Sequence, residues 1–436
     1  MGILSALNRE QREATAILQV GTFLEYFDLM IYVHMAVILN DIFFPKTDPH
    51  TAHLISAITF CSTFIFRPFG AVLFGYIGDN YGRKVTVVIT TVMMALCCAT
   101  MAVLPTYAQI GITAAWLVVI CRIVQGMSSM GEIIGAQIYL TELIKIPERY
   151  PIVSFINCAD YLGGVAALAI ASMVLAFGLD WRIIFWFGAL IATVGIMART
   201  ALRETPDFIN AKLRLKKQLE VTDINTSEVL CEDPIVNEKV KKKTSLAYFL
   251  IQCSHPVWFY FLYIYCASIF KHSYMYDHKH IIQHNLLLAA IEFSGIVCFS
   301  CLSYKIHPLK ILRFKMVIMV ILMLFLPNML SCITTANQLF LIQICICVFK
   351  PSTTPAGAVF FAHFPVFKRF TYSSFLYALS RALMYVVTSF GLVYLTKLFG
   401  SWGLLIIFIP VLIGFNFGIS HFKSLEEAVE NYPSKK

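Results

Sequence analysis

Twelve stretches of this chain are each apolar for about as long as a helix needs to cross the hydrocarbon layer of a bilayer, roughly 20 residues. They run over 15–40, 53–77, 84–104, 111–140, 152–177, 181–202, 246–270, 284–304, 314–332, 338–361, 372–396 and 401–421. Inside lipid every backbone amide and carbonyl needs a partner from its own segment or a closed barrel. Stretches of this length therefore predict an all-α polytopic membrane protein of 12 transmembrane helices. Only 14% of residues are charged, against about a quarter in a soluble domain. The seventh and tenth spans read least regularly, because Pro256, Lys350 and Pro351 interrupt them.

Six spans precede a polar stretch at 203–245 and six follow it, which predicts lobes at 1–202 and 246–421, a solvated linker and a short tail at 422–436. The net charge of +9 does not point to nucleic acid, because the bases collect in alternate loops. Arg83, Lys84, Lys145, Arg149, the KVKKK run, Lys310, Arg313, Lys368 and Arg369 fall on one side. That bias places both termini in the cytoplasm. Arg9 and Arg12 precede the first span with no prompt small-residue cleavage site, so the first helix reads as retained. Most of the 13 cysteines sit in apolar runs without metal-ligand spacing, as packing residues do. A P-loop, a metal-ligand cluster and a nucleophile–base pair are all missing, so neither an enzyme nor ATP-driven transport is expected, and no cofactor.

Charges inside the spans carry the functional signal, because an acid near a bilayer centre costs roughly 2.5–3.5 kcal/mol. The first span, GTFLEYFDLMIY, holds Glu25 and Asp28, one helical turn apart and on one face. Such carboxylates either exchange a proton or stay ionised beside a buried base; Arg67 and Arg122 are the candidate bases. In the fourth span Arg122 and Glu132 are ten residues apart, nearly three turns, and can face one cavity. Gly131 and Gly135 allow close helix approach there. Asp160 precedes two glycines in the fifth span, and Tyr26, Tyr32, Tyr161 and Trp186 offer aromatic faces to a cation. A static ion-pair network that fixes helix packing is the competing role for these charges.

The loop GYIGDNYGRKV, residues 75–85, places Asp79 and Arg83 across a tight turn. It resembles the signature loop of the major facilitator superfamily, matching at Gly75, Asp79, Gly82, Arg83 and Lys84. Further blocks in order (FFPKTDP, FRPFGAVLF, RIVQGMSSMGEIIG, DWRIIFWFGAL, LRETPDF) resemble the metabolite:proton symporter family, and most of all its bacterial proline/glycine-betaine transporters. Met130 stands where that family has the first glycine of a pair. The resemblance implies two six-helix lobes around a midplane cavity, a gating loop at 75–84 and a bacterial inner (plasma) membrane. It implies proton-coupled symport, with sodium as the alternative ion, of a zwitterion such as proline or betaine. A di- or tricarboxylate is the alternative solute, and a monomer the expected assembly.

The second half departs from this pattern. At its equivalent loop, CLSYKIHPLK, Tyr304 stands at the acid position and His307 and Pro308 replace glycine and base. An acid-to-base latch within that loop is therefore not expected, which leaves a non-transporting sensor as a rival reading. Glu292, Lys350 and Arg381 are further charges within the apolar spans, the first two a possible pair. The tail HFKSLEEAVENYPSKK is too short for a coiled-coil extension.

Overall fold

A computed structural model describes residues 6–45, 63–178, 180–200, 209–210, 213, 239–276 and 278–432. Most of the expected linker at 203–245 and the first part of the second span lie outside the described residues. The first half contains α1 (Arg9–Phe43), α2 (Arg67–Asn80), α3 (Arg83–Val103), α4 (Ile112–Leu143), α5 (Arg149–Phe177) and α6 (Arg182–Thr200). In the second half α7 is built from Lys242–Gln252, Ser254–Tyr260, the π-turn Phe261–Tyr265 and Cys266–Ser273. It continues with α8 (His278–Leu302), α9 (Pro308–Ser331), α10 (Ala336–Phe349), α11 (Val366–Phe399) and α12 (Gly403–Ala428). No strand occurs among the described residues. Six stretches there are long and apolar enough to cross a membrane by length and composition, the last running through α11 and α12.

Each half packs on itself. α1 lies along α5 and α3 along α4 and α6, while α7 and α9 lie against α12 and α8 against α10. Two helix pairs make the most extensive contacts between the halves, α2 with α11 and α5 with α8. The second helix of one half meets the fifth of the other in both cases, the arrangement expected of related six-helix lobes. One hydrophobic core fills the first half (Phe27, Phe43, Trp181) and another the second (Trp258, Phe261, Phe408). A third, including Val87, Ile134, Tyr248, Phe360 and Phe370, spans both. It closes the end of the bundle that carries the α2–α3 and α10–α11 turns.

Two breaks in helix geometry follow from proline. Pro256 has no amide proton to give the carbonyl four residues earlier, and α7 divides at Cys253 before passing through its π-turn. A π-turn holds one extra residue and re-aims the side chains beyond it. Pro351 bars its predecessor from the α region, so Lys350 caps α10 with ψ 137° and the chain unwinds until Gly357–Ala362. The irregular spots in the seventh and tenth spans are thus real interruptions.

The loop at 301–310 makes its acid–base contact with another element. His307 caps α9 by accepting the Leu309 amide on Nδ1, so its Nε2 carries the proton toward Glu426 Oε2 of α12, 3.4 Å away. His363 reaches the other oxygen of Glu426 at 2.7 Å. Local spacing could not reveal a partner more than a hundred residues away. Replacing this buried carboxylate, Glu426→Gln, should cost about 1–3 kcal/mol of stability. The check is thermal unfolding of the purified protein in detergent, where an unchanged midpoint would refute the role.

Candidate functional site: a charged chamber between the lobes

Two adjoining cavities lie between the halves. They share Tyr26 and Tyr161 from the first half and His255 and Arg381 from the second. The larger adds Arg67 and an aromatic wall of Phe64, Phe259, Tyr263 and Tyr385. The smaller adds Gln137, Asn157, Asp160 and the unwound Ser352–Thr353–Thr354 that Pro351 forces out of α10. Non-helical backbone at membrane depth is tolerated where it borders a cavity. Here it supplies the chamber with short hydroxyl side chains.

The chamber's charges are deeply buried. Arg67 opens α2 beside Pro68 and is 1% exposed, with its guanidinium 4.7 Å from the Phe64 ring. Its Nε and Nη2 have no hydrogen-bond partner. Asp160 of α5 is 4% exposed, and its Oδ1 also has no partner. It lies within electrostatic reach of Glu25, Arg67 and Arg381. Arg381 stacks 3.3 Å over Tyr377 and donates to Gln252 Oε1 at 3.2 Å. Buried polar atoms left without partners are costly, and groups of both signs line the two adjoining cavities.

Of the charges expected from the sequence, Glu25 is buried within reach of Asp160, and Tyr26, Arg67 and Asp160 line the cavities. Arg122 is buried but lines neither cavity, and its Nη1 donates to Gln125 Oε1 at 3.0 Å. The side chains of Asp28, Tyr32 and Glu132 lie outside the described residues. Trp186 is exposed on the outer surface. His255, Phe259, Tyr263 and Tyr385 escaped notice, since lone aromatics in apolar spans resemble packing residues. For Tyr263 the nearby Pro256 was the available signal.

The gating-loop residues form a lock that ties the halves together. Gly82 starts α3 at φ 124°, a conformation favouring glycine. That turn brings Arg83 within 3.5 Å of Asp79. Asp79 accepts from the Phe370 amide (3.1 Å), the Thr371 amide (2.9 Å) and Thr371 Oγ1 (2.7 Å) of α11. Gly75 permits this approach, because a Cβ there would stand 2.6 Å from the Thr371 Cα. Arg83 donates to the Val366 carbonyl at 2.7 Å and to Glu142 at 3.1 Å. Arg369 from the other half donates to the same Glu142 oxygen at 2.9 Å. Lys84 is half-buried at the start of α3. Glu142 was not singled out from its spacing as a gate residue, because its two arginines are brought to it only by packing.

Comparison with known proteins agrees with this architecture. Proline/betaine transporters of Escherichia coli (strain K12) and Salmonella typhimurium are 30% and 29% identical over 281 and 283 residues. Each match covers 62% of this chain and 55% of the relative, so the chain spans about half the length of these curated relatives. A putative metabolite transport protein of Haemophilus influenzae is 35% identical over 234 residues, 52% of each chain. The solved proton:xylose symporter XylE, bound to 6-bromo-6-deoxy-D-glucose, superposes with a TM-score of 0.76 at 16% identity, covering 97% of this chain and 96% of that one. That likeness speaks for the fold alone. Residues 18–375 match the Major Facilitator Superfamily, and with its non-enzymatic, two-lobed helical architecture the chain belongs to that family of membrane transport proteins.

Proposed function

We propose that this protein is a proton-coupled symporter of a small zwitterion such as proline or glycine betaine. The observation that carries the reading is the pair of unsatisfied buried charges in one chamber, Arg67 and Asp160. A carboxylate beside Arg67 and an ammonium beside Asp160 would satisfy both, and the surrounding tyrosine and phenylalanine rings suit a quaternary ammonium. The names of the proline/betaine relatives support the same solute class. The lobes, at 1–202 and 246–421 with a cytoplasmic linker at 203–245, rock around this fixed site. Both termini lie in the cytoplasm of a bacterial inner membrane, and a proton, rather than sodium, supplies the driving force. A monomer suffices, since the chamber is complete within one chain.

A di- or tricarboxylate is the second reading, favoured by two further buried lysines, Lys315 and Lys350, in the half that carries Arg381. The test is uptake of labelled proline, glycine betaine and 2-oxoglutarate into vesicles holding the purified protein. We expect accumulation of a zwitterion only with the exterior acidic. Accumulation of 2-oxoglutarate alone would favour the second reading, and none of any solute would favour a sensor.

A further inference from the structure

Behind the aromatic wall of the chamber the second half holds an ion pair whose members line neither cavity. Glu292 of α8 is 1% exposed and Lys350, at the end of α10, is 3% exposed. They form a direct salt bridge. Every element around Glu292 presents a titratable group to it. Tyr263 of the α7 π-turn donates to its Oε2 at 2.7 Å, and Cys347 of α10 donates to the same oxygen at 3.5 Å. Tyr161, from α5 of the other half, lies within electrostatic reach of Glu292. Lys315 of α9 lies within electrostatic reach, with its Nζ 3.3 Å from Ser352 Oγ. Both tyrosines line the larger cavity, so the carboxylate is one side chain removed from the bound solute.

We propose that Glu292 is the proton-binding site of the transport cycle, with Lys350 shared between Glu292 and the same solute carboxylate that Arg67 holds. Both cations, Lys350 and Arg67, lie within electrostatic reach of His255. The proposal rests on the symport reading above. Lys350 lies 5.9 Å from the ring of Tyr161, which lines both cavities, and Glu292 is its carboxylate partner. A buried charge without its counter-ion is destabilised by several kcal/mol. When a proton from water on the open side binds a Glu292 oxygen, the carboxylate becomes neutral and Lys350 is left in need of an anion. The solute carboxylate fills that need. Proton and solute therefore bind together, and each raises the affinity for the other by the same factor. No bond in the solute changes, and the proton leaves to water on the far side as Glu292 and Lys350 re-form their pair.

Tyr161 links this exchange to the lobes. It reaches Glu292 across the interface, whereas Tyr263 and Lys350 belong to the same half as Glu292. Rocking that separates α5 from α8 carries Tyr161 away from the carboxylate and leaves the Tyr263 donor in place. Proton occupancy is thereby tied to which face is open.

The test uses the full-length protein in liposomes, with labelled proline and glycine betaine as probes. With a gradient of about one pH unit, acidic outside, one proton per solute limits accumulation to about tenfold. Wild type should approach that limit, while Glu292→Gln should let label equilibrate without accumulating. Since Glu292→Gln strands Lys350, the double variant Glu292→Gln/Lys350→Gln provides a fully neutral comparison. It should also fail to accumulate, and a pH-sensitive dye should report about one proton taken up per solute bound by wild type and none by the double variant. Accumulation by either variant equal to wild type would overturn the assignment to Glu292 and leave the symport reading standing. A wild-type protein that accumulates neither probe would overturn both.

Discussion

Arg67→Gln is expected to abolish high-affinity uptake, lowering kcat/KM for a zwitterionic solute by about 100-fold. Arg67 enters the chamber with two nitrogens unsatisfied and almost no exposure to water. A charge-assisted hydrogen bond is worth about 1.5–3 kcal/mol, and an arginine fork can offer two parallel bonds to one carboxylate. Loss of about 2.7 kcal/mol corresponds to that hundredfold change. Arg67→Lys keeps the charge but not the fork, so it should recover only part of the loss. The check is a full concentration series of labelled proline or glycine betaine with each variant, normalised to the amount of protein in the membrane. Uptake by Arg67→Gln within a few-fold of wild type would show that the solute carboxylate binds elsewhere. Asp160→Asn tests the other end of the same solute: it should weaken zwitterion uptake and leave competition by a simple monocarboxylate less affected.

The second large effect is expected at the lock. Glu142→Gln should reduce net transport by about 100-fold and hold the protein open at the end carrying the α2–α3 turn. One Glu142 oxygen accepts from Arg83 at 3.1 Å and from Arg369 at 2.9 Å, so a single carboxylate bridges cations from both lobes. Breaking a buried ion pair by removing one partner costs about 3–5 kcal/mol. The cost falls only on the closed state, because separation of the lobes lets water reach both arginines. A shift of even 3 kcal/mol moves the populations of two states by more than about 100-fold. The expected signature is faster labelling of a cysteine introduced near Thr371 by a water-soluble thiol reagent, on a background without reactive native cysteines. Unchanged labelling with unchanged transport would show that the lock does not set the closed state.

Much of the architecture was readable before any coordinate. The apolar runs, the polar interruption and the alternation of basic loops follow from one-dimensional rules, since hydrocarbon thickness sets helix length and backbone groups cannot go unpaired in lipid. The loop from Gly75 to Lys84 announced its role through local spacing, and Asp79 and Arg83 do approach each other. Breaks at Pro256 and Pro351 were also visible, because proline acts on the residues immediately before it. The chamber was only half readable: Tyr26, Arg67 and Asp160 declared themselves as polar groups in apolar spans, but nothing in the order of residues said which of several buried charges meet.

The tertiary structure decided that Arg67 and Asp160 line two adjoining cavities joined by Arg381 and His255, that Arg122 instead bonds Gln125, that Glu142 bridges arginines from both lobes, and that His307 closes its loop through Glu426. Sequence by itself determined a helical membrane bundle in two halves with a tight turn at Gly75–Lys84, because those features depend on neighbours within a few residues. Which charges partner which depends on distances of a few ångströms between side chains far apart along the chain, and those distances exist only once the helices have packed.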